Sequence, residues 1–114
     1  MVSQRQFDGL VIVVTTETNN ISADSLAKGI LSRKLAACVS LRPVKSYFWW
    51  EGELEENNEV QLLIKTTTYK LQNLIDTINQ LHSYTTPELL YWNISASEPY
   101  KEWIVDIVSS SSNF

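Results

Sequence analysis

Few side chains in this sequence are suited to chemistry, and three of them lie close together. His82, Tyr84 and Glu88 fall within seven residues, between a predicted helix and a predicted strand. An imidazole, a phenol and a carboxylate at one corner could line a polar pocket for a small molecule. Glu88 could equally pair with Lys65 or cap a backbone amide. Neighbouring segments offer four side chains for the walls of such a pocket: Trp50, Lys65, Tyr100 and Trp103.

The sequence contains few histidine and cysteine side chains that could bind a soft metal ion. A site for a soft metal takes about three or four nitrogen or sulfur ligands, but His82 is the only histidine and Cys38 the only cysteine. One chain therefore cannot build such a site. The simpler interpretation is a helix-terminal histidine and a small buried cysteine. The carboxylates of residues 51–59 could bind hard cations weakly, although a charge run around a turn is usually solvated surface.

No enzyme signature is present in the sequence. The three glycines are well separated, so no phosphate-binding loop is formed, and neither a zinc-binding HExxH pair nor a nucleophile elbow occurs. The sequence therefore predicts no required cofactor. Catalysis would depend on a pocket that brings together His82, Glu88 and Lys65.

The composition indicates one globular domain and is compatible with a reducing compartment. The chain has 114 residues, and its formal charge of −4 comes with basic residues that are scattered rather than clustered. Attraction to nucleic acid or to an anionic membrane is thereby disfavoured. A single cysteine cannot form an intrachain disulfide, and the apolar run from Leu10 to Val14 is too short for a signal peptide core or a membrane span. We expect a cytoplasmic protein.

Hydrophobic periodicity predicts alternating strands and helices. "GLVIVVTT" is a β-branched run that indicates a central strand covered on both faces, and "ELLYWNIS" indicates a last core strand. Helical spacing predicts three amphipathic helices. Their apolar stripes are Leu26, Ala27, Ile30, Leu31 and Leu35 in the first, Leu71, Leu74, Ile75, Ile78 and Leu81 in the second, and Trp103, Ile104 and Ile107 in the third. The predicted N-caps are Asn20 or Ser22, then Thr67 or Thr68, then Ser97.

Between the first two helices the pattern predicts a long β-hairpin. An extended stretch over residues 37–54 contains Pro43, which suggests an edge position, and "EVQLLIKTTT" alternates apolar and polar residues. We place the turn at Glu55 to Asn58. The stretch is longer than a domain of this size is wide, so the hairpin must bend or project as an arm.

The order β, α, β, β, α, β with a terminal helix predicts a ferredoxin-like α+β fold, with an antiparallel sheet and both crossover helices on one face. The folded core should span about residues 9–108, and residues 109–114 should form a flexible tail. Side-chain alternation sends Tyr47 and Trp49 to one face of the arm and Phe48 and Trp50 to the other. A bare aromatic face calls for a cover: another subunit, a stacked nucleobase or a small ligand. The acidic surround disfavours the nucleobase.

Four separated motifs carry a resemblance to a known family. "KLAACVSL", "SYFWWEGELEENNEVQLLIKT", "LHSYTTPELL" and "PYKEWI" occur in an order and spacing that resemble the CutA divalent-cation tolerance proteins, over about residues 9–108. The resemblance implies a cytosolic homotrimer similar in build to the PII signalling proteins, with a role in tolerance of copper and other divalent cations and a poorly defined molecular activity. Because enzyme motifs are lacking, we expect binding rather than catalysis. Thr15 or Thr16 stands where some members carry a cysteine proposed as a copper ligand, and "HSY" replaces the family's "HPY".

The implied trimer gives the candidate residues their expected places. Tyr47, Phe48, Trp49 and Trp50 would contact a neighbouring subunit, and which tryptophan does so stays open. A ligand cleft between subunits would contain Trp50, Lys65, Tyr84, Glu88, Tyr100 and Trp103. Three-fold symmetry could also multiply His82 or Cys38 into a copper site. The alternative is an enzyme that uses His82, Glu88 and Lys65 in the intersubunit cleft.

Overall fold

This computed structural model describes residues 9–109. Four strands form one sheet, and three α-helices pack on its two faces. The elements are β1 (Leu10–Glu17), α1 (Asn20–Ser32), β2 (Cys38–Trp50), β3 (Glu53–Thr67), α2 (Leu71–Leu81), β4 (Leu90–Ile94) and α3 (Glu98–Ser109). The predicted ferredoxin-like α+β fold with an additional C-terminal helix is confirmed. Ser109, assigned to the tail from the sequence, ends α3, and the rest of the predicted tail lies outside the described residues.

The sheet is antiparallel throughout, with the strand order β2-β3-β1-β4. β1 is therefore an inner strand, as its continuous apolar run predicted. Seven of its eight residues are buried. β2 lies at one edge, which is why the ladder tolerates Pro43 without its backbone N–H.

The crossover helices α1 and α2 pack on the same side of the sheet, here called the helix face. Their buried residues meet alternate residues of β1 and β3, namely Val11, Val13, Val60, Leu62 and Ile64, to form the main core. Burying such side chains contributes roughly 1.5–3 kcal/mol each relative to leaving them exposed. Within residues 9–109, no helix is long and apolar enough to cross a membrane.

The first helix ends earlier than its apolar stripe predicted. Lys34 adopts a left-handed conformation with φ of 57°. The backbone N–H of Leu35 donates to the carbonyl of Ile30 at 3.2 Å, and that of Lys34 donates to the carbonyl of Leu31 at 3.0 Å. These two bonds form a Schellman motif, in which the residue after the left-handed position turns back towards the helix. Leu35 is thus buried after the helix end rather than on its stripe, and Leu31 is exposed.

The helix N-termini also differ from the predicted caps. Asn19, not Asn20 or Ser22, caps α1, because its side-chain oxygen accepts from the backbone N–H of Ser22 at 2.8 Å. A turn of 3-10 helix at Thr68–Lys70 precedes α2, and the Thr67 side chain makes no capping hydrogen bond there. Within α2 only Leu74 and Ile78 are fully buried.

The terminal helix α3 covers part of the opposite side of the sheet, here called the second face. Its buried residues are Ile104, Val105 and Val108, and two of them pack on Leu10 of β1. Of the predicted stripe of Trp103, Ile104 and Ile107, Ile104 is fully buried and Ile107 is half-buried. Trp103, the third member of that stripe, is 44% exposed, whereas Val105 is buried.

The last strand is an edge strand rather than the predicted core strand. β4 pairs only with β1, and Leu90, Tyr91 and Trp92 are about half exposed. By their register, Leu90 and Trp92 lie on the second face opposite Val14 and Ile12. The apolar sequence of β4 suggested burial, but residues 9–109 do not cover this edge.

The hairpin of β2 and β3 projects beyond the rest of the sheet. β1 pairs with β3 only from Val60 to Thr67, so Glu53 to Glu59 and the facing part of β2 form a free two-stranded arm. The molecule consequently measures 55 × 30 × 21 Å. Phe48 of the arm is half-buried, whereas Tyr47, Trp49 and Trp50 are exposed.

The turn of the arm lies at Glu51 and Gly52, and the predicted turn at Glu55 to Asn58 was wrong. Trp50 pairs with Glu53 across the turn. Glu51 and Gly52 have φ values of 50° and 81°, the signature of a two-residue type I′ turn. Glu55 to Asn58 instead lie inside β3. Gly52 adopts the positive φ that this turn requires more readily than the residues of the polar run would.

We predict that Gly52→Ala lowers the free energy of unfolding by ~1 kcal/mol, because alanine resists the left-handed conformation. Gly9→Ala is the matched control, since a Cβ there meets only the Thr68 side chain, at 3.4 Å and beyond. Urea denaturation measures both variants. If both substitutions lowered the free energy of unfolding equally, the turn assigned at Glu51 and Gly52 would be contradicted.

Candidate functional site

A buried polar junction joins the end of β1 to the segment that follows α2. Glu17 is 1% exposed. Its Oε1 accepts from the backbone N–H of Thr18 at 3.1 Å, and its Oε2 accepts from the backbone N–H of Ser83 at 3.0 Å. A carboxylate removed from water is stable only when hydrogen bonds replace its hydration. Glu17 thereby fixes the start of the loop of residues 82–89, which leads into β4.

His82 completes this junction. Its Nδ1 accepts from the backbone N–H of Tyr84 at 2.9 Å, so the ring proton lies on Nε2, which donates to the carbonyl of Thr16 at 2.6 Å. The imidazole is therefore neutral, and the 3.6 Å approach of Nδ1 to Glu17 Oε2 is not an ion pair. Both nitrogens are occupied inside the subunit. Metal binding by His82 would require one of these bonds to break.

Cys38 lies far from that junction in the sheet register. It stands opposite Lys65, on the second face, and its thiol approaches the Ser40 hydroxyl at 4.0 Å. Between Gly9 and Ser109, no cluster of three or more histidine, cysteine or acidic side chains could hold a metal ion. The copper ligands suggested by the sequence, His82 and Cys38, thus remain a prediction about an assembly.

A large concavity lies on the second face, between the arm and the loop of residues 82–89. We call it the arm cleft. It is open to solvent and has a volume of about 910 Å³. Its lining comes from β1, both strands of the arm and the loop: Thr16, Thr18, Ser46, Tyr47, Phe48, Trp50, Glu55, Asn57, Glu59, Tyr84, Thr85, Thr86 and Glu88.

One short hydrogen bond connects the two sides of the arm cleft. The Tyr84 hydroxyl donates to Glu59 Oε2 at 2.6 Å. Burial, reinforced by the hydrogen bond and the negative charge of Glu59, raises the pKa of Tyr84 to about 12. The phenol is therefore protonated at neutral pH and holds the loop against the base of the arm. On the same wall, the Thr16 hydroxyl donates to Glu88 Oε1 at 3.4 Å.

The charge of the arm cleft has one sign. Among residues 9–109, its carboxylates are those of Glu55, Glu59 and Glu88, and no lysine, arginine or histidine of this range lines it. The arm's own ion pair, Lys45 with Glu56 at 3.1 Å, occupies the other face of the hairpin. The cleft therefore presents a negative surface in which a cation would be attracted and an anion repelled.

The structure divides the residues that the sequence placed in one cleft. Trp50, Tyr84 and Glu88 line the arm cleft. The other three form a separate cluster beside α3: the Lys65 ammonium donates to the Tyr100 hydroxyl at 3.3 Å, and the Tyr100 and Trp103 ring centroids lie 5.6 Å apart. Glu88 therefore does not pair with Lys65. Among the three residues of the enzyme alternative, only Glu88 reaches the cleft.

Sequence reasoning missed Glu17 and Glu59. Glu17 follows a strand and carries no distinguishing motif, and its role depends on a bond to Ser83, 66 residues away. Glu59 was grouped with solvated charge, yet it is only 9% exposed. Strand alternation could have identified it, because Glu55, Asn57 and Glu59 share a face with Phe48 and Trp50 once the turn is placed correctly.

Comparison with protein families identifies a match over most of the chain. Residues 11–107 match the family model described as "CutA1 divalent ion tolerance protein". The divalent-cation tolerance protein CutA of Pectobacterium atrosepticum is 39% identical over 105 residues, which cover 90% of this chain and 96% of the relative. CutA of Yersinia pestis is 41% identical over 100 residues, covering 86% and 84% of the two chains.

Solved structures show the same similarity in three dimensions. CutA from Archaeoglobus fulgidus, described as a periplasmic divalent cation tolerance protein, superposes with a TM-score of 0.84 at 35% identity, covering 87% of this chain and 98% of that one. CutA1 from Oryza sativa superposes with a TM-score of 0.83 at 34% identity, covering 87% and 93%. By sequence and by structure, this chain belongs to the CutA1 family of divalent ion tolerance proteins.

Proposed function

We propose that the protein acts in divalent-cation tolerance as a homotrimer that binds a divalent cation or a small cationic ligand in the arm cleft. The observation that carries this proposal is the lining of the cleft, to which residues 9–109 contribute three carboxylates and no basic side chain. A cation held there would neutralise charge that the subunit itself leaves uncompensated. The proposed activity is binding rather than catalysis.

The exposed apolar side chains support an assembly. Trp49 and Trp50 of the arm are 73% and 61% exposed, and Leu90 and Trp92 of the edge strand are about half exposed. Apolar residues concentrated on an arm and a sheet edge are typical of a surface that another chain covers. A PII-like trimer would cover them, and it would also bring a second subunit to the open side of the arm cleft.

The ligand atoms of the cleft favour hard cations over copper. Carboxylate and hydroxyl oxygens suit magnesium, calcium or manganese ions, whereas copper is held best by histidine and cysteine. Neither His82 nor Cys38 lines the cleft. We therefore propose a hard divalent cation, completed by oxygen atoms of a neighbouring subunit, with copper at His82 or Cys38 as the second candidate.

Two further expectations belong to this proposal. A cytoplasmic location remains our proposal, although the Archaeoglobus relative is described as periplasmic. Nucleic acid is not a proposed partner, because phosphates would face the negative charges of Glu55, Glu59 and Glu88.

We predict that light scattering gives a mass three times the 13.0 kDa of one chain. Leu90→Glu should reduce this mass, because it would place a charge in the subunit interface, where desolvation is costly. Ile21→Glu, at a position that is 82% exposed on α1, is the control and should keep the assembly intact. A monomeric wild-type protein at micromolar concentration would contradict the proposed trimer.

We predict that Mn²⁺ binds the protein and that Glu88→Gln weakens this binding by about tenfold, because one charged oxygen ligand is lost. Glu56→Gln removes the same charge from the opposite face of the arm and should leave the affinity unchanged. Calorimetric titration measures all three proteins. If both substitutions weaken Mn²⁺ binding equally, the affinity depends on the net charge of the protein and not on a site in the cleft, and the proposed site is contradicted.

The raised pKa of Tyr84 predicts a loss of stability at alkaline pH. An unfolded tyrosine titrates near 10 and Tyr84 near 12. The difference stabilises the folded protein fully below pH 10 and is lost as the pH rises through 12. Tyr84→Phe should therefore flatten the fall of unfolding free energy over this interval. Identical alkaline profiles for variant and wild type would show that Tyr84 titrates normally.

A further inference from the structure

We infer that the hydrogen bond from Tyr84 to Glu59 fixes the orientation of the arm and thereby prepares the arm for contact with a neighbouring subunit. This inference rests on the proposed function, because it takes the neighbour to be a second copy of this chain. It adds that Tyr84 is a positioning residue for the interface, acting from inside its own subunit.

The base of the arm is the point where the sheet narrows to two strands. The pairing of β1 with β3 ends at Glu17 and Val60, and Val60 faces Pro43 of β2 on its other side. Beyond this point the two-stranded arm continues alone, and such a hairpin is marginally stable in water by itself. Glu53 lies roughly 20 Å from the base at ~3.3 Å per residue, so a rotation of about 10° there moves the tip by about 3 Å.

A single polar side-chain contact joins the arm to the rest of the subunit. Within residues 9–109, the bond of 2.6 Å between the Tyr84 hydroxyl and Glu59 Oε2 is the only hydrogen bond or ion pair that a side chain of the arm makes outside it. The ion pair of Lys45 with Glu56 lies within the arm. Elsewhere the open arm cleft separates the arm from the loop of residues 82–89. The angle of the arm therefore depends on this one bond.

The Tyr84 end of the bond is held firmly to the sheet. The backbone N–H of Tyr84 donates to His82 Nδ1 at 2.9 Å, and the backbone N–H of Ser83 donates to Glu17 Oε2 at 3.0 Å. The His82 and Tyr84 ring centroids lie 5.0 Å apart. Because Glu17 and His82 are buried, the phenol is a fixed point from which the arm can be oriented.

The Glu59 end of the bond would respond strongly to its loss. Glu59 is 9% exposed, and the Tyr84 hydroxyl replaces part of the hydration that its carboxylate gives up. Without that donor a buried charge is costly, and a rotation of the arm that brings the carboxylate to water would relieve the cost. The arm carries the exposed Trp49 and Trp50. Holding it in one orientation before association reduces the entropy lost when a neighbour binds.

The first test measures the distance between the arm tip and α1 by double electron–electron resonance. Nitroxide labels are attached through Glu53→Cys and Lys28→Cys, both at exposed positions, in a Cys38→Ser background. Labelled chains are refolded with an excess of unlabelled chains, so that each trimer holds one labelled pair. We expect Tyr84→Phe to widen the distance distribution about twofold, because the tip moves by several ångströms for a small rotation at the base. Tyr69→Phe removes a phenol that is 61% exposed, next to α2, and should leave the width unchanged.

The second test measures subunit exchange between ¹⁵N-labelled and unlabelled trimers by native mass spectrometry. Tyr84→Phe should accelerate exchange by about tenfold, the factor expected for one hydrogen bond to a charged group, and Tyr69→Phe should not. Glu59→Gln keeps the side-chain shape but offers a neutral acceptor, so it should give a smaller increase; it is the second variant in case Tyr84→Phe disturbs the fold. The double variant should exchange no faster than Tyr84→Phe alone, since both substitutions act on one bond.

The outcomes separate this inference from the proposed function. An unchanged distance distribution in Tyr84→Phe would overturn the role of the bond while leaving the trimer standing. A wider distribution with unchanged exchange would overturn its effect on the interface. A monomeric wild-type protein would overturn the proposed trimer and the interface role together, and the distances measured in that monomer would still decide whether Tyr84 holds the arm.

Discussion

The buried carboxylate of Glu17 is the constraint on which the functional surface depends. It stands at the end of an inner strand, out of contact with water, and must receive hydrogen bonds from the protein. The backbone N–H groups of Thr18 and Ser83 provide them, and His82 adds a bond between the same two segments. The end of β1 and the loop before β4 are thereby held together. That loop forms one wall of the arm cleft.

A helix, a cleft and an exposed edge strand occupy the second face of the sheet. α3 packs on the end near Leu10, the arm cleft opens at the end near Thr16, and the edge strand β4 leaves Leu90 and Trp92 partly exposed. The three helices within residues 9–109 do not cover the arm or the edge strand β4. Residues 9–109 therefore leave both apolar and polar surface exposed on this face.

Elements with a strong period were predictable, and features set by single residues or by distant partners were not. The stripe of α2 and the alternation of Val60, Leu62 and Ile64 locate the main core, because burial on one side leaves a regular pattern. The turn at Gly52 was missed because the polar run from Glu55 to Asn58 has an equally turn-like composition. β4 has the composition of a core strand, but its edge position follows from the strand order. The resemblance to CutA rested on four motifs and needed no structure.

The arm cleft separates the features that the sequence determines from those that depend on the tertiary structure. Sequence alone determined the fold, the family, the aromatic arm and the nearness of Tyr84 to Glu88, because these depend on local pattern and on motif order. Only the tertiary structure decided that Glu59 joins Tyr84, that Lys65 turns to Tyr100, and that His82 is enclosed by the backbone. These pairings join residues 25 to 66 positions apart. Strand register and the projection of the arm bring them together, and neither leaves a periodic trace in the sequence.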